Sequence, residues 1–282
     1  MLKIISQTER QMVSGSAILE IQHPLHISHR GGARIGPENT LPTFQRAVEV
    51  SRTDMLEFDV RRTSDGVIVV HHDPDVDRTT NGNGPIQALS FKELQELDAG
   101  FSFSPDGGNS YPHRGEGYKV PELAEVLHSF PDVLFHIDVK QNEPAIEEEV
   151  FKLIRDAGLS ERTCIGSACD DVGRRVRHTA GMMPTFPGKD GLKRLYILFR
   201  LKLLRLYPLA HEVISIPQID KGKEVLSESL VAHLRSRGKK VFTFIVDDPE
   251  QQERVLDMGV DGVMSDRPDI LRETMEAMKT DE

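Results

Sequence analysis

The sequence predicts an α/β domain built as a closed parallel barrel of eight strand–helix units, and three observations carry that prediction. Short apolar runs alternate with helical patterns from residue 25 onward. No Gly-x-Gly-x-x-Gly turn follows any run, which argues against an open, doubly wound sheet. The length of 282 residues suits one such barrel, which typically takes about 250.

The first strand is expected at Leu25–Ser28. It ends at His29-Arg30-Gly31-Gly32, where paired glycines permit a tight turn, and a helix follows at about Leu41–Ser51. In Met55–Val60, Glu57 and Asp59 alternate with Leu56, Phe58 and Val60 as a strand requires, and Val67–Val70 pairs back on it as a hairpin. The alternation then stops. From about 74 to 118 Gly, Asn, Ser and Pro dominate, with one short helix at Phe91–Leu97. This insertion after the second strand would emerge on the C-terminal rim of the barrel and cover a site there.

The series resumes with strands at Val133–Val139, Thr163–Ser167 and Met182–Phe186. Helices are expected between and around them at Glu122–Phe130, Glu143–Ala157, Asp170–Ala180 and Gly191–Tyr207. Strands at Val213–Ile216, Lys240–Val246 and Gly259–Met264 complete the eight, with helices at Ser227–Arg237, Pro249–Met258 and Pro268–Lys279. Ser227 and Asp248 stand as N-caps, Asp248 directly before a proline at the first helical position. Gly158, Gly181, Gly238 and Gly259 stand where helices should end. Residues 1–24 read as an N-terminal extension to a domain over 25–282. They lack the cationic start and apolar core of a secretory signal.

Composition narrows the function. An apolar fraction of 38% and a charged fraction of 28% describe a soluble globular protein. A net charge of −10 argues against nucleic acid as partner, though an acidic whole can carry a cationic pocket. Two cysteines, Cys164 and Cys169, are too few for a disulfide framework and point to reduced thiols in a cytoplasmic setting.

The chemistry concentrates at predicted strand ends. Period-two geometry puts Glu57 and Asp59 on one face, where two acids repel unless a cation sits between them. A hard divalent ion with oxygen ligands is one answer; a solvated strand end, or pairing with Arg61 and Arg62, is the other. Asp138 and Lys140 share a face at the end of the next barrel strand, adding a third carboxylate and a cation. His136 lies on that face one step deeper, where a hydrogen-bonded core role outweighs ligation. Arg30 offers a planar donor fork for phosphate oxygens. His29 and His72 end apolar runs, and a pair of imidazoles can serve as general base and general acid. His71 should point away from His72 along a strand, and Asp73 is placed to orient His72.

Several segments resemble the glycerophosphodiester phosphodiesterase family: HRGG at 29–32, PENTLPTF at 37–44, EFDVRRTSDGVIVVHHDPDVDRTT at 57–80, DVK at 138–140 and GVDGVMSDRP at 259–268. The resemblance implies a TIM-type (β/α)8 barrel with a small insertion and one bound divalent cation, Mg²⁺ or Ca²⁺. It also implies His29 and His72 as the catalytic pair, and it favours His72 over His71. Glu57, Asp59 and Asp138 would bind the metal, and Arg30 and Lys140 the phosphate. Asp138 stands where most relatives have Glu, Phe244 where many have a Trp walling the substrate, and Asp247 where many have Asn. The expected reaction is metal-dependent hydrolysis of a glycerol-based phosphodiester to glycerol phosphate and an alcohol.

Two rivals stand beside it. Asp138-Val139-Lys140 also resembles a subgroup with lysophospholipase D activity, which would release lysophosphatidic acid from lysophospholipids. A catalytically silent lipid- or phosphate-binding barrel is the other. The stretch 193–207, KRLYILFRLKLLRLY, bears on the choice because it holds five cations and no acid. At helical spacing Leu195, Tyr196, Phe199, Leu203 and Leu206 form one stripe. Either this is a barrel helix with a basic outer face, or it is an interfacial helix making peripheral membrane contact.

Overall fold

The structure, a computed structural model, describes residues 15–280; residues 1–14 of the expected extension lie outside the described residues. Eight parallel strands run in ring order. They are β1 (Leu25–His29), β2 (Met55–Arg62), β4 (Leu134–Val139), β5 (Thr163–Gly166), β6 (Thr185–Phe186), β7 (Val213–Pro217), β10 (Lys240–Phe244) and β11 (Gly262–Ser265). Hydrogen bonds link them as β6-β5-β4-β2-β1-β11-β10-β7. The seam between β6 and β7 is spanned by side chains, with the Thr185 amide and hydroxyl donating to Glu212 Oε2 at 3.1 and 3.2 Å. The barrel is nearly closed, as the alternation predicts.

Two short pairs sit off this ring. β3 (Ile68–Val70) pairs antiparallel with the end of β2, Val60 opposite Val70. β8 (Ile219–Asp220) and β9 (Lys223–Glu224) form a small hairpin beyond β7. The helices are α1 (Ala17–Glu20), α2 (Leu41–Glu49), α3 (Phe91–Glu96), α4 (Leu123–Ser129), α5 (Glu147–Asp156), α6 (Asp170–Thr179), α7 (Lys189–Arg200), α8 (Glu228–Ser236), α9 (Pro249–Asp257) and α10 (Pro268–Thr280). The Ser227 side chain caps α8 by accepting from the Leu230 amide, and Asp248 caps α9 by accepting from Gln251. Such a cap contributes about 1 kcal/mol.

Strand alternation sorts the core into an inner layer and an outer shell. Leu25, Ile27, Met55, Leu134, Cys164, Phe186, Val213, Phe242 and Met264 fill the barrel interior, with Ile18 of α1 packed against them. Their neighbours point outward under the helices: Leu56, Phe58, Phe135 and Ile137 on one side, Ile214, Ile216, Val241 and Val263 on the other. The insertion carries its own small core of Val76, Ile86, Leu94 and Ala99 against Val69 of the hairpin.

Two expectations need correction. The sixth strand is only Thr185–Phe186, not Met182–Phe186; Pro184 and Pro187 flank it, and neither can donate to a ladder. The helix expected to reach Tyr207 ends at Arg200. There Lys202 takes φ of 59°, its amide donates to Phe199 O at 2.9 Å, and the Leu203 amide donates back to Leu198 O at 2.8 Å. That pattern is a Schellman stop, and it turns Leu203 and Leu206 out of the predicted stripe into solvent. A 3-10 turn, Leu204–Leu206, buries Leu204 instead.

His26, between β1 and α10, is locked in a neutral form. Its Nε2–H donates to Pro268 O at 2.7 Å and Nδ1 lies 3.1 Å from the Thr53 hydroxyl. Burial lowers its pKa from 6.5 to about 4. The unfolded chain therefore binds this proton first, and stability present at neutral pH is lost as pH falls through that window. The loss from His26 between pH 7 and pH 5 should be about 2 kcal/mol. Urea midpoints at the two pH values should differ less in His26→Gln than in the parent; equal losses would contradict this.

Candidate active site

The mouth of the barrel, at the C-terminal ends of the strands, collects the titratable residues the sequence singled out. His29 ends β1 in register with Glu57, and Asp59 is in register with Asp138 across β2 and β4. Glu57, Asp59 and Asp138 are all buried. Alternation aims them inward, above the apolar barrel interior. Neither Arg61 nor Arg62 forms an ion pair with them: Arg61 Nε donates to His72 O at 2.9 Å, and the Arg62 backbone amide donates to Gln141 Oε1 at 3.1 Å.

Lys140 is the principal counter-charge. Its Nζ lies 3.0 Å from Asp59 Oδ1 and 2.5 Å from Asp138 Oδ2. Burial opposes its charge, but Asp59 and Asp138 outweigh that and raise its pKa. Arg30 approaches from the other side, with Nε 3.3 Å from Asp59 Oδ2 and Nη1 donating to Glu38 Oε1 at 2.8 Å. Burial would push Asp59 up, yet Lys140 and Arg30 hold it well below the usual carboxylate range. Glu57 has no lysine or arginine side chain so close; His29 Nε2 lies 3.7 Å from its Oε2, which accepts from the Arg30 backbone amide at 3.2 Å. Burial, reinforced by Asp59, raises it to about 7 against the pull of His29.

The backbone is bent to make this possible. Arg30 and Asn39 both adopt positive φ, 51° and 58°, and they are tied by the Asn39 amide donating to Arg30 O at 3.0 Å. Non-glycine residues in that region mark a position the surroundings over-determine. Gly32, at φ of 110°, admits Pro268 so closely that a Cβ would stand 2.8 Å from its ring. The Asn39 side-chain amide donates to Asp59 Oδ2 at 3.3 Å, while its buried Oδ1 has no partner.

The two histidines sit in opposite electrostatic settings. His29 Nδ1 donates to Asp266 Oδ1 at 2.6 Å, and Nε2 lies 3.7 Å from Glu57 Oε2. Burial alone would lower its pKa; the Glu57 and Asp266 carboxylates reverse that and raise it. His72 Nδ1 lies 2.6 Å from Asp73 Oδ1. Burial lowers its pKa even though Asp59 pulls the other way. His71 points away, as expected, into the insertion, bonding Asp73 O and the Thr79 hydroxyl, each at 3.0 Å. His136 is a core residue, bonded to Ser215 Oγ at 3.0 Å and stacked on Phe186.

Asp266, Glu38 and Arg78 escaped the sequence reading although they lie inside the quoted segments. Asp266 orients His29 and is itself held by Asp247, whose Oδ1 accepts from the Asp266 amide at 2.8 Å and from the Ser265 hydroxyl at 2.9 Å. Glu38 and Arg78 form a two-bond pair at 2.7 and 2.8 Å. Arg78 also donates to Asp73, so Arg30, Glu38, Arg78, Asp73 and His72 make one continuous hydrogen-bonded chain. No spacing rule links residues brought together from such separate segments. Phe244 ends β10 two residues beyond Phe242 and so points inward over the interior, partly exposed at the mouth.

The donor chemistry fits a hard divalent cation, since Glu57, Asp59 and Asp138 offer only oxygen and Asn39 Oδ1 is an orphaned acceptor beside them. Among the described residues no three carboxylate, imidazole or thiolate groups already converge as a cage. Asp138 leans instead on Lys140 and on the Ala168 amide, at 3.2 Å.

Two imidazoles in opposite electrostatic settings and two cations thus gather around buried acids at the mouth of a (β/α)8 barrel, and similarity to known proteins makes the chain a phosphoric diester hydrolase. The Glycerophosphoryl diester phosphodiesterase family model matches residues 29–270, and the chain belongs to that family. It is 33% identical over 258 residues to a glycerophosphodiester phosphodiesterase of Caldanaerobacter subterraneus subsp. tengcongensis, covering 88% of this chain and 96% of the relative. It is 30% identical over 273 residues to human lysophospholipase D GDPD1, covering 88% and 85%. The glycerophosphoryl diester phosphodiesterase domain of Mycobacterium tuberculosis Rv2277c shares the fold, with a TM-score of 0.78, 22% identity and coverage of 91% and 100%.

The placement of the adjacent histidines yields a test. His71→Ala leaves its partners in the insertion unsatisfied, so it should lose on the order of 1–3 kcal/mol of stability. Its turnover should stay far above the ~10²-fold loss expected of an acid–base residue. Thermal unfolding and turnover on glycerophosphocholine, measured together, check this. A collapse of turnover at unchanged stability would place His71 at the reacting atoms.

Proposed function

We propose that the chain hydrolyses a glycerol-based phosphodiester to glycerol phosphate and an alcohol in a reaction that depends on one divalent cation, Mg²⁺ or Ca²⁺. The observation that carries this reading is the pair His29 and His72, held by separate carboxylates and biased to opposite protonation states on the same barrel mouth. With Nδ1–H donated to Asp73, His72 keeps the Nε2 lone pair free to take the proton of an attacking water, or of a glycerol hydroxyl whose cyclic phosphodiester product water then opens to glycerol phosphate. His29, oriented by Asp266 and with its pKa raised by Glu57 and Asp266, offers its Nε2 proton to the leaving alkoxide. Arg30 and Lys140 bind the phosphate oxygens. Glu57, Asp59 and Asp138 would hold the cation, which when bound supplies Lewis-acid neutralisation of the phosphate. Phe244 walls the substrate.

Chelation should abolish turnover of glycerophosphocholine and readdition of Mg²⁺ or Ca²⁺ should restore it; unaffected turnover would remove the cation from the reading. His29→Ala and His72→Ala should each lower kcat by ~10²-fold or more. A loss confined to KM would make the residue a binding group instead.

A second reading, hydrolysis of a lysophospholipid to lysophosphatidic acid, is supported by the likeness to human lysophospholipase D GDPD1 and by the surface after α7. Ile197, Leu201, Leu203 and Leu206 are exposed, the last at 72%, among exposed Arg194, Arg200, Lys202 and Arg205. Apolar side chains ringed by cations suit peripheral contact with an anionic membrane. No described helix is long and apolar enough to cross a membrane. Replacing Arg200, Lys202 and Arg205 with Gln should leave hydrolysis of soluble glycerophosphocholine nearly intact and weaken sedimentation with phosphatidylserine vesicles. Unchanged sedimentation would return 194–206 to an ordinary barrel surface.

A further inference from the structure

All three nitrogens of the Arg78 guanidinium donate to carboxylates, and the two carboxylates lead to different parts of the proposed chemistry. Nε donates to Asp73 Oδ2, and the other Asp73 oxygen lies 2.6 Å from His72 Nδ1. Nη1 and Nη2 donate to the two oxygens of Glu38 at 2.7 and 2.8 Å, and Glu38 Oε1 also accepts from Arg30 Nη1. Asp73 holds the His72 ring, whereas Arg61 Nε meets the His72 carbonyl oxygen. The backbone that carries Arg78 is itself anchored. Val76, two residues earlier, is buried in the core of the insertion. The Thr80 amide and hydroxyl, two residues later, both donate to Val76 O, at 3.1 and 2.9 Å. The guanidinium thus reaches the mouth from a fixed turn.

We propose that Arg78 is a positioning residue for the hydrolysis, aligning His72 through Asp73 and Arg30 through Glu38 with one guanidinium, so that the insertion takes part in the chemistry. The inference rests on the reading of His72 as general base and Arg30 as phosphate ligand, and it adds a residue to which that reading gives no role. A planar fork can bridge two carboxylates at fixed angles, which a lysine ammonium cannot. The guanidinium also decides how much of the Asp73 charge His72 feels. Burial would raise the Asp73 pKa, but Arg78 and His72 lower it to about 2. Around His72, burial disfavours the charged ring, as do Arg30 from the turn after β1 and Lys140 from the end of β4. Asp59 of β2 and Asp73 favour it, and burial prevails. Removing the guanidinium would leave the Asp73 carboxylate facing His72 without a competitor, whereas removing the Asp73 charge would end its pull on the ring proton.

NMR titration of histidine-labelled protein tests this without relying on turnover, with His72 assigned by the resonance lost in His72→Gln. Arg78→Gln should raise the His72 pKa by about one unit, and Asp73→Asn should lower it. The acidic limb of kcat/KM for glycerophosphocholine should move with the pKa in each variant. Arg78→Lys keeps the charge and loses the fork, so the pKa should stay near its parental value while kcat falls by ~10-fold or more. Arg78→Gln should also raise KM, because Glu38 loses the partner that holds it against Arg30. Adding Glu38→Gln to that variant should then cost less than Glu38→Gln costs alone. An unmoved His72 pKa in folded Arg78→Gln, or shifts of the same sign in Arg78→Gln and Asp73→Asn, would overturn the proposal. Parental kcat in Arg78→Lys, or full additivity with Glu38→Gln, would overturn it too. Failure of the unaltered protein to hydrolyse glycerophosphocholine would instead contradict the reading of the mouth, and the titration would still decide whether Arg78 governs His72.

Discussion

Two carboxylates buried side by side on β2 govern the rest of this molecule. Glu57 and Asp59 point the same way because a strand repeats every two residues, and both are nearly inaccessible. Burying one carboxylate is costly, and burying two in contact range is untenable without cations. The surrounding structure supplies them from different elements. Lys140 comes from the residue after β4, whose register aligns Asp138 with Asp59. Arg30 comes from the turn after β1, bent into a positive φ that aims it inward. His29 comes from the last position of β1, where Glu57 and Asp266 raise its pKa against burial. The strained turn, the register and the close approach of Gly32 to Pro268 read as one solution to one electrostatic problem.

The same problem explains why the insertion is tied so firmly to the mouth. Glu38 joins Arg30 to Arg78, and Arg78 joins Glu38 to Asp73, which holds His72. Each bond is charge-assisted, and the Arg78–Glu38 contact uses two of them. His72 is thus positioned by residues on both sides of the hairpin rather than by its strand alone. His71, one residue earlier, spends both ring nitrogens on the insertion.

Much of this was legible in the chain. Strand ends could be located because apolar alternation stops where carboxylates, imidazoles and glycines begin, and seven of the eight barrel strands lie close to where that rule puts them. β6 escaped because prolines on both sides cut it to two residues. The end of α7 escaped for a different reason: its Schellman stop is made by Lys202, a residue with no compositional signature of a stop. Among site residues, His29, Arg30, Glu57, Asp59, His72, Asp138 and Lys140 announce themselves by residue type at strand ends. Asp266, Glu38 and Arg78 do not, because an orienting carboxylate or a bridging arginine is defined by its partner in space, and Asp247 shows only as a departure from the family's Asn. His29 and Asp266 are 237 positions apart.

Compensation of Glu57 and Asp59, on the function proposed above, shapes the mouth into a phosphodiester site. A crystal structure of the protein with glycerol 3-phosphate and Mg²⁺ or Ca²⁺ tests it most directly. The expected result is the phosphate on Arg30 and Lys140 between His29 and His72, with the cation on Glu57, Asp59 and Asp138. A product phosphate bound away from these residues, with Lys140 still clasping Asp59 and Asp138, would contradict it.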